Sequence, residues 1–285
     1  MTVLVFGRTG QVATELARLA PDAICLGRDR ANLEDPESGA TAIADHAPDV
    51  VINAAAFTAV DRAETEEDLA TRVNAEAPAA MARACAAANI PLVHISTDYV
   101  FDGHGTAPFA PDAATGPLGA YGRSKLAGEE AIRYSGATHV ILRTAWVFSA
   151  NGGNFLKTML RLSETRDTLS IVDDQIGGPT PANAIAAACL TIADRLRDAP
   201  DCGGTYHFTG APDVSWKGFA EAIFEAARRR VAVTGIPTAD YPTPAARPLN
   251  SRLDCQGTEA AFGIMRPDWR AALPRILDEL GVFTT

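Results

Sequence analysis

"TVLVFGRTGQVATELARLA", residues 2–20, is the stretch that decides the fold. Its opening run, TVLVFG, is β-branched and apolar and ends in Gly7, the pattern of a short buried strand. The remainder sets Val12, Leu16 and Leu19 on one face at helical spacing. Between the two lie Gly7, Gly10 and Ala13, spaced G-x-x-G-x-x-A. Small residues there let the backbone approach a pyrophosphate, and the first N–H groups of the helix then face the anion. Glycine is common, so the spacing alone carries little. Its place between an N-terminal strand and a helix is what gives it weight.

Working outward, "AICLG" (23–27), "DVVINAAA" (49–56), "PLVHIST" (91–97) and "HVILRTAWVF" (139–148) read as further strands, nearly all apolar. "EAPAAMARACAAAN" (76–89) and the stretch from Ala120 read as helices. Strands apolar throughout and alternating with helices predict an α/β fold, a Rossmann-type doubly wound parallel sheet covered on both faces. After Phe148 the texture changes. A turn at 151–154 precedes a helix (155–164), a strand (169–175) and an alanine-rich helix, for which Thr180 is the expected N-cap and Pro181 lies in the first turn. "TYHFTG" (205–210) reads as a strand, a helix starts at Ser215, and an amphipathic helix covers 269–280. Pro237, Pro242, Pro244 and Pro248 make 235–248 an extended segment, a pattern commoner in binding loops than in cores. The expected division is a dinucleotide-binding domain over 1–148, completed by the helix near 181–198, and a smaller C-terminal α/β substrate domain over 149–285.

Composition narrows the function. The 285 residues are 47% hydrophobic and 21% charged, enough to bury a core. A net charge of -10 disfavours a nucleic-acid surface. The one basic run, Arg228, Arg229 and Arg230, ends a predicted helix, where it suits the negative end of the dipole. Five cysteines without C-x-x-C spacing argue against a disulfide framework or zinc site, and Cys25, Cys85 and Cys189 read as core thiols. The histidines show no metal-ligand spacing. No signal-peptide pattern precedes the first strand, and no apolar run is long enough to cross a bilayer. The expectation is a cytoplasmic protein without a membrane partner.

Four elements could carry chemistry. The Gly7–Gly10 turn is the first. The second is "NAAAFTAVD" (53–61), directly after strand three, where ligands of open parallel sheets lie. There Ala54, Ala55 and Ala56 leave room for a cofactor ribose or nicotinamide. The third is Ser96 and Thr97 at the end of strand four. The fourth is "AYGRSKLAGEE" (120–130), in which Tyr121 and Lys125 stand one helical turn apart on a shared face. Taken alone, that pair reads as an ordinary surface pair. Strand two ends in Leu26-Gly27-Arg28-Asp29, without an acidic residue where the adenine-ribose hydroxyls of NAD would be held. Arg28 could pair with a 2′-phosphate, which favours NADPH and leaves NADH possible, or it is a solvated loop residue.

Together and in this order, the four elements resemble the extended short-chain dehydrogenase/reductase family. "GRTGQVATEL", "DVVINAAAFTAVDRAE", "STDYVFDG", "YGRSKLAGE", "LRTAWVF", "NFLKTMLRL", "DDQIGGPT" and "YPTPAARPLNSRLD" are similar, within it, to the dTDP-4-dehydrorhamnose reductases, from residue 2 to about residue 254. Ala13 replaces the usual third glycine. Sugar-nucleotide dehydratases of the wider family carry Asp-Glu after the strand-four threonine. Here Asp98-Tyr99 follows, so the resemblance implies a simple reductase.

What the resemblance implies is hydride transfer from NAD(P)H to C4 of a dTDP-linked 4-keto sugar. Tyr121 would be the general acid. A phenol of pKa about 10 is a poor shuttle near neutrality, and a Lys125 ammonium would lower it and also hold the nicotinamide ribose. Thr97 would bond the carbonyl oxygen. Gly7, Thr9, Gly10, Gln11, Val12, Arg28, Asn32, Leu33, Ala54, Ala55, Ala56 and Thr58 would meet the cofactor. Val60, Tyr99 and Trp146 would line the sugar, although Trp146 could equally be core at the end of strand five. Asn154, Phe155 and Lys157 would serve phosphate and base, Gln175 the base or ribose, and Arg247 the diphosphate. Lys157 also suits a solvated helix face. Some relatives bind magnesium at a dimer contact. Glu15 and Glu279 match that pattern, but Asn183 stands where a third acid is expected, which weakens the case for magnesium. No catalytic metal is expected, and monomer and homodimer both stay open. Two rivals remain: a non-catalytic regulatory subunit resembling that of methionine adenosyltransferase, and a reductase or epimerase of another nucleotide sugar. The Arg247 loop and Asn154-Phe155 favour a sugar-nucleotide site.

Overall fold

The opening stretch folds as its pattern predicts. Strand β1 (Val3–Phe6) is buried along its length, and helix α1 (Gln11–Leu19) turns Val12, Ala13 and Leu16 inward. The computed structural model describes residues 1–283. The chain continues through β2 (Ile24–Leu26), α2 (Glu37–His46), β3 (Val50–Asn53), α3 (Ala77–Ala88), β4 (Leu92–Thr97), α4 (Ala120–Tyr134) and β5 (His139–Thr144). All pairings within this sheet are parallel, in the order β2-β1-β3-β4-β5, with a sixth strand beside β5. The order reverses between β1 and β3. Their carboxyl ends therefore open a crevice, and both the glycine turn and the alanine turn lie in it.

The sixth strand, β7 (Gly204–His207), and helix α6 (Ala182–Asp198) come from beyond residue 149. The lobe built on the parallel sheet thus draws two elements, a helix and a strand, from beyond residue 149. Helix α6 packs with α1 on one face of the sheet, joining Ile185, Cys189 and Ile192 to Val5, Leu16 and Ile52. Helices α2 and α3 cover the other face, around Phe6, Met81, Cys85 and Ile141. Cys85 and Cys189 are core thiols as expected, while Cys25 is half-buried.

The second lobe has its own core. It is built from α5 (Phe155–Leu162), β6 (Thr168–Val172), α7 (Trp216–Ala226), β8 (Ala232–Ile236) and α8 (Trp269–Glu279). Leu156, Ile171, Phe219, Ile223 and Trp269 meet there. Strand β8 pairs with β6 in parallel. Asn154, Ser215 and Asp268 cap their helices by accepting backbone N–H groups.

Two local expectations are corrected. "HVILRTAWVF" is not one strand: Trp146 adopts φ +50°, and the chain breaks there into β5 and a two-residue strand, Val147–Phe148. Thr180 is not the N-cap of α6. It pairs in a strand with Val147, its hydroxyl donates to Gly178 O (2.9 Å) and accepts the Gly210 N–H (3.2 Å), and Pro181 takes the cap position. A second strand at the domain junction outcompeted the local capping signal.

Candidate active site

A cavity of about 630 Å³ runs along the carboxyl ends of β1, β3 and β4 to the start of α4. Gly7 forms its floor with φ +119°, and a Cβ there would press within 3.1 Å of the Ala13 side chain and 3.3 Å of the Ala54 backbone. Only glycine fits a turn this close to two elements. Thr9, Gly10, Gln11 and Val12 follow along the wall, then Arg28, Asn32 and Leu33, then Ala54, Ala55, Ala56 and Thr58. The far end holds Val60, Thr97, Tyr99, Tyr121, Lys125 and Trp146. The structure therefore gathers every expected cofactor residue and the three expected catalytic residues into one space.

The reactive end is held from several sides. Gly122 lets α4 pack directly on the turn after β4, since a Cβ would lie 2.2 Å from Tyr99 O. Tyr121 is buried, and its ring meets that of Tyr99 edge to face at 5.5 Å. Burial pushes the Tyr121 phenol above its ordinary range, with the Thr97 hydroxyl the one group pulling it back. Thr97 Oγ1 donates to Asp98 Oδ1 at 3.0 Å and accepts the Tyr99 N–H. Asp98 Oδ2 is buried without a partner, and burial raises that carboxyl to about 6. Lys125 is buried too, and desolvation lowers it to about 8 against the pull of Glu129. Lys125 Nζ donates to Ile95 O at 2.8 Å and meets His94 Nε2 at 3.1 Å.

A residue that the sequence reading passed over ties the alanine turn to α4. Asn74 sits in a single π turn, Arg72–Glu76. Its Oδ1 accepts the Phe57 N–H (2.8 Å), and its Nδ2 donates to Phe57 O and to Ser124 Oγ (3.0 Å each). Ser124 in turn donates to Tyr121 O at 2.8 Å. Such π turns recur at functional sites. Nothing in an alanine-rich helical pattern marks one.

The whole chain can now be compared with known proteins. Residues 1–282 match the family described as RmlD substrate binding domain. The chain belongs to this family. A relative from Sinorhizobium fredii, named dTDP-4-dehydrorhamnose reductase, is 43% identical over 97% of each chain. The solved dTDP-4-dehydrorhamnose reductase of Clostridium acetobutylicum superposes with a TM-score of 0.92 at 34% identity, covering 98% of this chain and 99% of its own. That of Bacillus anthracis, solved in complex with NADP, gives 0.90 at 32%, with the same coverage.

In this RmlD-family chain the residues expected to bind the sugar nucleotide are less uniformly placed. Trp146 lines the cavity and stacks on Trp216, centroids 3.5 Å apart, so it is both wall and packing. Asn154, Phe155, Lys157, Gln175 and Arg247 stand outside the cavity lining and are engaged with protein. Asn154 donates to Gln11 Oε1 (2.9 Å) and caps α5. Phe155 packs against Trp216 and Phe219. Lys157 Nζ reaches Ala150 O at 3.2 Å. Gln175 bridges Trp216 Nε1 and Thr238 Oγ1, at 3.0 Å each. One nitrogen of Arg247 donates to both oxygens of Asp61 at 2.8 Å, while its Nη1 is buried without a partner. Glu15 pairs with Arg18 and Glu279 with Arg275, and Asn183 Oδ1 is a buried orphan. Among the described residues no group of three or more His, Cys, Asp or Glu could hold a metal ion, and no helix is long and apolar enough to cross a membrane. Arg8, within the glycine turn, was also passed over. It lines the cavity mouth with Arg28 and faces Asp29 at 3.9 Å.

Proposed function

We propose that this chain reduces the C4 ketone of dTDP-4-dehydro-L-rhamnose to dTDP-L-rhamnose with NADPH, the last step of dTDP-L-rhamnose synthesis. The observation that carries it is the single cavity that joins a glycine-floored turn to Tyr121, Lys125 and Thr97. The like-named relatives support the same reading. The cradle suits a dinucleotide: Gly7 makes a turn too close to Ala13 and Ala54 for any Cβ, and α1 presents its first N–H groups there. When bound, a nicotinamide dinucleotide supplies the hydride.

The protein's own residues do the rest. Tyr121 gives its phenolic proton to the sugar oxygen as carbon accepts the hydride. Thr97 donates to the same oxygen and keeps the developing charge fixed. That requires its hydroxyl to turn from Asp98, whose free oxygen can then meet a substrate hydroxyl. The charge left on Tyr121 is met by Lys125. Burial of all three excludes water and strengthens each of these interactions. Arg28 and Arg8 at the cavity mouth favour a 2′-phosphate, hence NADPH over NADH. Arg247 is the cation for the diphosphate once Asp61 yields it.

The test is NADPH consumption with dTDP-4-dehydro-L-rhamnose beside a panel of other nucleotide-linked 4-keto sugars. Turnover is expected with the first substrate in preference to the rest. Absence of turnover with every member would overturn the reading and favour a non-catalytic binding role.

A further inference from the structure

His94 lies in the middle of β4 with no exposed surface, and the proposed chemistry does not use it. Its two ring nitrogens meet two different partners. Nδ1 is 3.1 Å from Asn53 Nδ2, and Nε2 is 3.1 Å from Lys125 Nζ. The tautomer follows from a backbone group. The Ala55 N–H points at Asn53 Oδ1, 3.1 Å away, and only an oxygen can accept it. The amide therefore turns its NH₂ toward His94, so Nδ1 must be the acceptor and the ring proton sits on Nε2. That N–H faces Lys125. Beyond it, Lys125 donates to Ile95 O. The donors run one way, from Ala55 through Asn53, His94 and Lys125 to Ile95, and the run closes without conflict only if Lys125 is an amine.

We propose that His94 is a positioning residue: held in its Nε2–H tautomer by Asn53 and Ala55, it opposes the ammonium form of Lys125 and sets the pH at which that lysine releases its proton. This rests on the reading of Lys125 as the partner of Tyr121. The other groups that bear on the pair are few. Glu129, on α4, favours the ammonium but is already bound by Arg143 of β5 and by Arg133. His139 and Lys125 both disfavour charge on His94. Tyr121 and Asp98 stand on the cavity side. Burial works in the same direction, lowering Lys125 to about 8 and keeping His94 neutral. An unperturbed lysine near 10.4 would hold its proton.

Nitrogen NMR of histidine-labelled protein reads the tautomer directly, without turnover. His94 is expected to be neutral and protonated on Nε2 from pH 6 to 8. A ring protonated on Nδ1, or on both nitrogens, would overturn the proposal. The signal is assigned by its loss in His94→Gln, or by exclusion with His207→Gln if that variant does not fold. In His94→Gln the side-chain oxygen can turn toward Lys125, so the basic limb of kcat should move up by about one pH unit, with KM for NADPH within about twofold. A uniform loss of kcat with the limb unmoved would mean a merely structural role and would also overturn the proposal. A chain inactive toward every keto sugar would defeat the functional reading but leave the tautomer measurement standing.

Discussion

Two regions of the molecule use their polar groups in opposite ways: the cofactor wall of the cavity, and the residues outside its lining that are proposed to meet the sugar nucleotide. The cofactor wall is made of backbone and small residues, Gly7, Gly10 and Ala54 to Ala56, in turns at strand ends. The proposed sugar-nucleotide wall lies outside the cavity lining and is made of long side chains that already hold protein partners: Asn154 with Gln11, Gln175 with Trp216, and Arg247 with Asp61. The first is ready to receive its ligand. The second must exchange partners to do so, and Tyr121 stands at the boundary between them. Preorganisation on one side leaves the free energy of partner exchange to be met on the other.

The largest effect should come at that boundary. Tyr121→Phe removes only a hydroxyl, and the edge contact with the Tyr99 ring can persist. General acid catalysis contributes about 10²–10⁴-fold, so kcat should fall by that amount while NADPH affinity, read by fluorescence titration, stays within about twofold. Near-normal turnover would remove Tyr121 from the chemistry and leave the cofactor wall without a reactive end.

Next in size is the buried support behind β4. Glu129 is buried, receives Arg143 in two-pronged fashion at 2.7 and 2.9 Å, and accepts from Ser96 Oγ at 2.5 Å. Burial pushes its carboxyl up, but the Arg143 bonds, with Ser96 and Arg133, hold it below the ordinary range. Glu129→Gln leaves Arg143 buried without its counter-charge, which should cost about 3–5 kcal/mol. A folded-state pKa below the unfolded one contributes stability above the unfolded value of about 4.3, and that stability is lost as pH falls through the folded value. The difference in melting temperature between wild type and variant should therefore be greatest near neutrality and shrink below pH 4. A gap independent of pH would mean that the carboxylate charge is not what stabilises this wall.

The sugar-nucleotide wall is tested through Arg247. Charge-assisted hydrogen bonds are worth about 1.5–3 kcal/mol, so Arg247→Met should raise KM for the sugar nucleotide by about tenfold or more, with kcat little changed. Asp61→Asn should do the reverse, because it removes the competitor that holds the guanidinium in the free protein. If both substitutions raise KM alike, the pair is a strut between lobes, and this wall is as rigid as the other.

The same contrast explains what the sequence revealed. The cofactor wall was legible because its parts are local. Gly7 and Gly10 follow β1 directly, Ala54 to Ala56 follow β3, and the order of strands and turns is itself the signal. Helical spacing put Tyr121 and Lys125 on one face, but the pair took on meaning only from the turns and strand end that precede it in the chain. The other wall depends on pairs far apart in the chain: Asp61 lies 186 residues from Arg247, and Gln11 143 residues from Asn154. A positive charge in a proline-rich loop could be read, but not the carboxylate that already held it. The π turn at Asn74 and the left-handed Trp146 were hidden for a related reason, since tertiary contacts override the local pattern there. His94 looked like one more residue of a buried strand, and its meaning depends on three other elements.

The smallest effect is expected at the cavity mouth, where the cofactor wall itself carries long side chains. Arg28 is exposed and pairs with Glu34 at 3.1 Å, and Arg8 faces Asp29 across 3.9 Å. Solvent-exposed ion pairs contribute about 0–1 kcal/mol, so neither carboxylate holds its arginine firmly against a 2′-phosphate. By the same screening, Arg28→Ala should lower the preference for NADPH over NADH by only a few fold, read as the ratio of kcat/KM values. With two cations at one mouth, removing both should cost more than twice the single loss in free energy if they grip one phosphate together, and the sum of the two if each acts alone. A ratio unmoved even in the double variant would place cofactor choice in the backbone turns and make the cofactor wall wholly a matter of local geometry.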